Sequence, residues 1–402
     1  MKSAVDKNTS VFLDGDLSHA ETQRRREGGS PASAIPFDRS SWKRVRLGDL
    51  VAQQIISMGR GNVISKETIE SDPGTYPVFS SSATGDGIIG HYARYMFDDE
   101  RISWSIDGGG RFFYHPASRY SVTNVSGWIK VHKPGEIHTC YLYLVLDAEW
   151  QKKHFDYQTK AHPSVIKNEY IIAYPDIDTQ NKIVAAISSC DDCITAIQAL
   201  IAKYEAIKKA TVNLLLALRG HWRQIRLGDI GDVLMCKRIL KSQTSTTGDV
   251  PFYKIGTFGK QPDAFISRTL FEDFKRRFSY PKVGDVLLSA AGTIGRTVVF
   301  NGEDAYFQDS NIVWIDNNER IVTNSFLSVL YGQMYWQTEN GGTVSRLYNV
   351  NIRNTNIVIP PVSEQKRIGA ILDSIDGTIS GLKSQLAKSQ DIKQGMMSYF
   401  FG

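Results

Sequence analysis

The sequence predicts an α+β protein: two tandem mixed α/β domains separated by two long helices that form an antiparallel coiled coil, the whole arranged as a pseudo-two-fold repeat. Three observations predict this. The segment Trp42-Lys43-Arg44-Val45-Arg46-Leu47-Gly48-Asp49-Leu50 returns as Trp222-Arg223-Gln224-Ile225-Arg226-Leu227-Gly228-Asp229-Ile230, an offset of 180. Pro175 with Gln180-Asn181-Lys182-Ile183 returns as Pro360 with Gln365-Lys366-Arg367-Ile368, an offset of 185. After each glutamine, apolar residues recur with spacings of four and three, which is the a/d seam of a coiled coil. The stretches between the anchors keep similar length but little identity, so one scaffold presents two different surfaces.

In chain order, residues 1–40 have no apolar period, and Arg24-Arg25-Arg26 sits beside Gly28-Gly29-Ser30-Pro31. This reads as a disordered, solvated leader. Residues 41–176 form the first domain, with strands at Ile88-Ile89, Ile102 to Ile106 and Gly127 to Val131 and a helix at Tyr141 to Trp150. Residues 177–220 form the first spacer helix, with the seam Ile183, Ile187, Cys190, Ile194, Ile197, Ile201 and Tyr204. Residues 221–361 repeat the domain, with strands at Val286 to Ser289 and Asn311 to Ile315 and a helical segment at Phe326 to Trp336. Trp128 matches Trp314 and Trp150 matches Trp336, both at offset 186, so the two middles share a fold. Residues 362–402 form the second spacer helix, with the seam Ile368, Leu372, Ile375, Ile379, Leu382, Leu386 and Ser389. Two seams in one phase pack together, each helix about 50 Å long at ~1.5 Å per residue. Before each hinge proline the chain is extended (Tyr170 to Tyr174, Asn356 to Ile359), and Asp178 and Ser363 are the expected N-caps.

The chain has 402 residues and a formal net charge of +5, with 42% hydrophobic and 22% charged residues, which suits two or three ordinary globular domains. No run of 18 or more apolar residues occurs and the N-terminus has no signal-peptide apolar region, so a cytoplasmic location and no membrane association are expected. The four cysteines make no disulfide framework. Cys190 and Cys193 form a CxxC, but inside a helical seam and without a second pair, so they belong to the helix and not to a zinc site. Charge is balanced along the chain: residues 41–176 carry 15 Lys/Arg against 15 Asp/Glu. Unaided phosphate binding calls for a more basic domain, so a nucleic-acid role implies a partner that shares the backbone contacts.

The known catalytic patterns are missing from the sequence. Walker A, HExxH and GxSxG do not occur, and Pro360-Pro361 precedes Val362 rather than the aromatic residue of a methyltransferase loop. Gly85-Asp86-Gly87-Ile88-Ile89-Gly90 fits GxGxxG but does not open a helix, and reads as a hairpin turn. The eight histidines make no metal spacing. What the sequence does offer is loop chemistry for base edges. Arg, Lys, Asn and Gln make bidentate bonds to guanine and adenine, and glycine turns let backbone approach a duplex. Arg111 follows Gly108-Gly109-Gly110, and Arg296 follows Gly295 at the equivalent place. The run Gly341 to Arg346 precedes the last strand of the second domain, as Gln158 to His162 does in the first. The candidate DNA contacts are Arg60, Arg111, Arg119, Lys160, His162, Lys254, Arg296, Ser345 and Arg346. For each of them, a solvated residue on a surface turn is the plain alternative.

The pattern from residue 42 to the C-terminus resembles the specificity subunit of type I restriction-modification systems. The resemblance is carried by the Trp222 to Asp229 segment and its upstream copy, by Ile357-Val358-Ile359-Pro360-Pro361-Val362-Ser363-Glu364-Gln365-Lys366-Arg367-Ile368, and by Lys393-Gln394-Gly395-Met396-Met397. The first hinge departs from the pattern, with one proline and Thr179 rather than glutamate before Gln180. The resemblance implies two target-recognition domains, each reading one half of a split double-stranded DNA target, and a coiled coil that sets their spacing. It implies assembly with two modification subunits that bind S-adenosylmethionine and methylate adenine, and with restriction subunits that use ATP and Mg. It implies no cofactor and no catalysis in this chain. Two other readings stay open: a coiled-coil repeat scaffold that never touches DNA, and a methyltransferase or nuclease with an unfamiliar site. A specificity subunit of a related fused restriction or methylation system is a variant of the first reading.

Overall fold

The computed structural model describes residues 39–81, 85–153, 160–217, 221–336 and 346–402. The expected leader up to residue 38 lies outside the described residues, as do Ser345, Gln158, Thr159 and Gly341 to Val344. The chain forms two compact units, one built from the chain up to Ser189 with Gln394–Gly402, the other from Cys190–Lys393.

The first unit contains β1 (Lys43–Arg46), α1 (Leu47–Ala52), β2 (Ile56–Arg60), α2 (Lys66–Ser71), β3 (Pro73–Phe79), β4 (Ile88–Tyr92), β5 (Arg101–Ser105), β6 (Phe112–His115), β7 (Ser121–Val122), β8 (Ser126–Val131), α3 (Thr139–Gln151), α4 (Pro163–Glu169) and β9 (Ile171–Tyr174). The two anchor segments meet: β1 pairs antiparallel with β9, Lys43 opposite Tyr174 and Arg46 opposite Ile171. Between these anchors the domain holds a four-stranded sheet in the order β2-β8-β5-β6 and a three-stranded sheet in the order β4-β3-β7. Leu47, Leu50, Trp104, Ile129, Leu142 and Tyr170 fill one core, all fully buried.

The second unit repeats this plan with β10 (Arg223–Arg226), β11 (Val233–Leu234), β12 (Val250–Tyr253), β13 (Phe265–Ile266), α6 (Arg268–Arg277), β14 (Val286–Ser289), β15 (Thr297–Val299), β16 (Tyr306–Phe307), β17 (Ile312–Ile315), α7 (Asn324–Gln333), α8 (Asn349–Asn354) and β18 (Asn356–Ile359). β10 pairs with β18 in the same sense, and the sheets run β11-β17-β14-β15 and β13-β12-β16. Strand for strand the order is that of the first unit. The helices inserted between strands differ: α2 lies before β3, whereas α6 lies after β13. Sequence identity fades between the anchors because the strand order needs only an alternating pattern, while loops and insertions are free to change.

One expectation is corrected here. The segment Phe326 to Trp336 is not one helix: α7 ends at Gln333, and Met334 is extended with φ −79° and ψ 136°. Trp336 leaves the helix to lie against Gly295, where an added Cβ would stand 2.7 Å from the indole ring.

Each hinge proline leads into a long helix, α5 (Ile177–Ala217, 41 residues) and α9 (Val362–Phe401, 40 residues). Asp178 is not the cap of α5. Asp176 accepts from the Thr179 N–H and hydroxyl, both at 2.9 Å, because the helix begins at Ile177 and leaves Asp178 inside its first turn. Ser363 likewise falls in the first turn of α9, which begins at Val362 directly after Pro361.

Within the second unit the helices run antiparallel. Asp191 meets Lys393 at 2.5 Å, Glu205 meets Lys383 at 3.0 Å and Lys208 meets Asp376 at 2.6 Å, one number falling as the other rises. Ile197, Ile368, Leu372 and Ile379 are buried, and Ile194, Ile201, Leu382 and Leu386 are half-buried between exposed neighbours. In the first unit Ile183 and Ile187 are buried in a cluster with Phe400 and Phe401, with Met396 and Met397 packed against it. The seam continues past Tyr204 and Ser389 through Lys208 and Lys393. A lysine in seam phase hides the period from a search for apolar residues, while its stem still lies along the seam and its ammonium reaches an aspartate.

Candidate nucleic-acid interface

In each domain a glycine turn joins two sheet strands, and a tryptophan stands behind it. Gly109 and Gly295 both adopt positive φ, 83° and 87°, which glycine alone takes without strain. Trp150 Nε1 donates to Gly109 O at 2.7 Å. Trp336 occupies the equivalent place beside Gly295, but its Nε1 is buried without a partner. The loop entering the last short helix runs alongside the turn in both domains: the Ala161 N–H donates to Ile106 O at 3.1 Å and the Leu347 N–H to Ala290 O at 2.8 Å. In both domains the described end of the second loop thus lies beside the glycine turn that the sequence picked out.

Two further loops join each cluster. In the first domain, Arg111 Nη1 reaches Gly85 O at 3.4 Å in the β3–β4 turn, and its guanidinium lies 5.0 Å from the Phe113 ring. Arg60 grips Asn124 O in the β7–β8 loop with Nε at 3.1 Å and Nη2 at 2.8 Å. In the second domain, Arg296 Nη1 donates to Phe258 O at 2.9 Å, in the loop after β12. Arg346 Nη2 donates to Ser310 O at 3.1 Å, in the loop between β16 and β17. All four arginines are thus oriented by backbone carbonyls. A carbonyl holds a guanidinium without neutralising it, and in Arg60, Arg296 and Arg346 these one or two bonds leave others of the five N–H donors for a phosphate or base edge.

The remaining candidates behave differently. Lys160 pairs with Asp107 at 2.9 Å and Lys254 with Asp263 at 2.8 Å, so both charges are compensated in the fold. His162 is exposed and precedes α4 as its N-cap residue, without a side-chain capping bond. Arg119 stands apart on Tyr76 and Tyr95, 4.9 Å above the Tyr95 ring. Sequence reasoning missed the residues the arginines hold, Asn124 and Ser310, because a carbonyl acceptor belongs to every residue and carries no side-chain signal.

The chain matches the type I restriction modification DNA specificity domain over residues 39–206 and again over 220–389. It belongs to that family. Over 176 residues this specificity-domain protein is 53% identical to a putative type I restriction enzyme specificity subunit of Haemophilus influenzae, an alignment that spans 44% of this chain and 46% of that one. The chain therefore covers about half the length of that relative. A putative type I specificity subunit of Mycoplasma pneumoniae is 20% identical over 356 residues, covering 87% of this chain and 94% of the other. Among solved structures, the S subunit of a type I restriction-modification system from M. genitalium shares the fold with a TM-score of 0.61 at 13% identity, covering 90% and 96% of the two chains. The helix α5 is long and apolar enough to cross a membrane by composition, but its apolar stripe is the coiled-coil seam of the family fold.

Proposed function

We propose that this specificity-domain protein is the non-catalytic DNA-reading subunit of a type I restriction-modification complex, each domain reading one half of a bipartite double-stranded target. The observation that carries this is the pairing of one scaffold with two different loop sets. Anchors, strand order and hinge are repeated, and Arg111 and Arg296 follow equivalent glycine turns, whereas the arginines that hold the last strand-joining loop, Arg60 and Arg346, come from different elements in each domain. Two readers on one frame suit a target with two unlike halves.

The coiled coil is the docking site for the two modification subunits, which bring S-adenosylmethionine, and the restriction subunits bring ATP and Mg. Support for docking comes from a second stripe on α5: Leu200, Ile207 and Leu214, spaced by seven, are 43%, 39% and 63% exposed outside the seam. A heptad stripe left open beside an occupied seam fits a partner helix. The complex acts in the cytoplasm, where chromosomal DNA is available.

Replacing residues 50–170 by the corresponding domain of another specificity subunit tests the reading. Native-DNA sequencing of cells carrying the chimaera is expected to show one half of the methylated motif changed and the other kept. Change in both halves, or in neither, would refute it.

A further inference from the structure

We infer that the loops between β7 and β8 and between β16 and β17 are the base-reading loops of the two domains, with the side-chain amides of Asn124 and Asn311 contacting adenine. This deepens the DNA-reading role proposed above and rests on it.

The first observation is a clamp built twice from different parts. Asn124 and Ser310 are equivalent, 186 residues apart, as Trp128 and Trp314 are. Each has its carbonyl gripped by an arginine. In the first domain that arginine is Arg60, at the end of β2, and in the second it is Arg346, from the loop before α8. Inherited packing would reuse one arginine. Reaching the same carbonyl from two directions points to a requirement on the loop itself.

The second observation is what the clamped loop carries. Asn124 is half-buried, and its side-chain amide makes no hydrogen bond among the described residues. Asn311, next to the clamped Ser310, is also half-buried, with its backbone carbonyl held by the Ala290 N–H at 2.7 Å and its amide likewise uncommitted. Ser310 itself is held at φ 56°, a left-handed conformation rare for serine. The rest of that loop is fastened too: Gln308 Oε1 accepts from Ile255 N at 2.9 Å, and Asp309 pairs with Arg238 at 2.8 Å. A rigid backbone with one unspent amide is a pre-organised reader, because little entropy is lost when a base arrives. An asparagine amide offers one donor and one acceptor side by side, the pattern that complements N7 and N6–H of adenine in the major groove. Arg60 and Arg346 are positioning residues in this scheme.

The test uses the full chain assembled with its modification subunits, and duplexes in which each base pair of the target is substituted in turn. Asn124→Asp keeps the shape and removes the donor. It is expected to abolish discrimination, roughly 10- to 100-fold, at one A·T pair in one half-site only. Asn311→Asp is expected to do the same in the other half. Arg60→Lys is expected to flatten the profile across the Asn124 half while the melting temperature moves little, which a purely structural arginine would not do. A wild-type profile for both asparagine variants, or a change in both halves from either one, overturns the inference. Absence of any sequence preference in the wild-type assembly would overturn the DNA-reading role instead.

Discussion

Gln180 and Gln365 make the same three hydrogen bonds at positions 185 residues apart. Gln180 Oε1 accepts from His138 N at 2.9 Å, while its Nε2 donates to Glu136 O at 3.0 Å and Pro175 O at 2.9 Å. Gln365 Oε1 accepts from Thr323 N at 2.8 Å, and its Nε2 donates to Ile321 O and Pro360 O at 2.9 Å. Every partner is shifted by the same 185 positions. Both side chains are fully buried, so each locks the start of its long helix to the loop that opens α3 or α7. The lock holds at the first hinge even though Thr179 stands where the second hinge has Glu364.

Gln180→Leu keeps the volume and leaves one N–H and two carbonyls without partners, the Pro175 carbonyl buried and the other two groups partly so. At about 1–3 kcal/mol for each stranded group, a loss of roughly 3 kcal/mol is expected, and Gln365→Leu should match it. Urea denaturation of the two variants checks both the size and the equality.

The seam should be graded by depth. Ile197 is 8% exposed whereas Leu382 is only half-buried, so Ile197→Asp should cost several kcal/mol and Leu382→Asp less. The exposed ion pair Lys383–Glu205 should contribute less than about 1 kcal/mol, so Lys383→Ala should barely move the melt. Thermal unfolding followed by helical circular dichroism ranks the three.

Leu200→Asp combined with Ile207→Asp is expected to leave the fold intact, since both side chains already face solvent. The double variant should fail to assemble with the modification subunits in size-exclusion chromatography. Normal assembly would remove the exposed stripe from the docking surface.

His115 is buried against Tyr120 and Phe79 and shares a 2.7 Å hydrogen bond with Ser103, and burial lowers its pKa to about 4. An unfolded histidine titrates near 6.5, so between these values the unfolded chain binds the extra proton. The contribution is therefore complete above about pH 6.5 and is lost as pH falls towards 4, amounting to about 3 kcal/mol over that window. His115→Gln should unfold with a shallower acid dependence than wild type, as denaturant midpoints measured from pH 7 to pH 4 will show.

Cysteine reactivity should divide the same way. Burial pushes the Cys236 thiol up to about 12, whereas Cys193 is exposed on α5. Iodoacetamide at neutral pH is expected to label Cys193 and spare Cys236 until the protein is unfolded, with peptide mass spectrometry as the readout.

The sequence by itself determined the repeat and the antiparallel helix pair, because the repeat is written in an offset and the two seams in a period, whereas the meeting of the anchor strands came only with the structure. Seam residues recur every three or four positions, and the copied segments that span β1 and follow β9 recur at offsets of 180 and 185. Tertiary structure alone decided that Asp176 caps α5, that Trp336 leaves its helix to back a glycine turn, and that lysines continue the seam. It alone brought Arg60 to Asn124 and Arg346 to Ser310. Those contacts end on backbone carbonyls, which every residue carries alike, so only the path of the chain distinguishes the carbonyl that an arginine can reach.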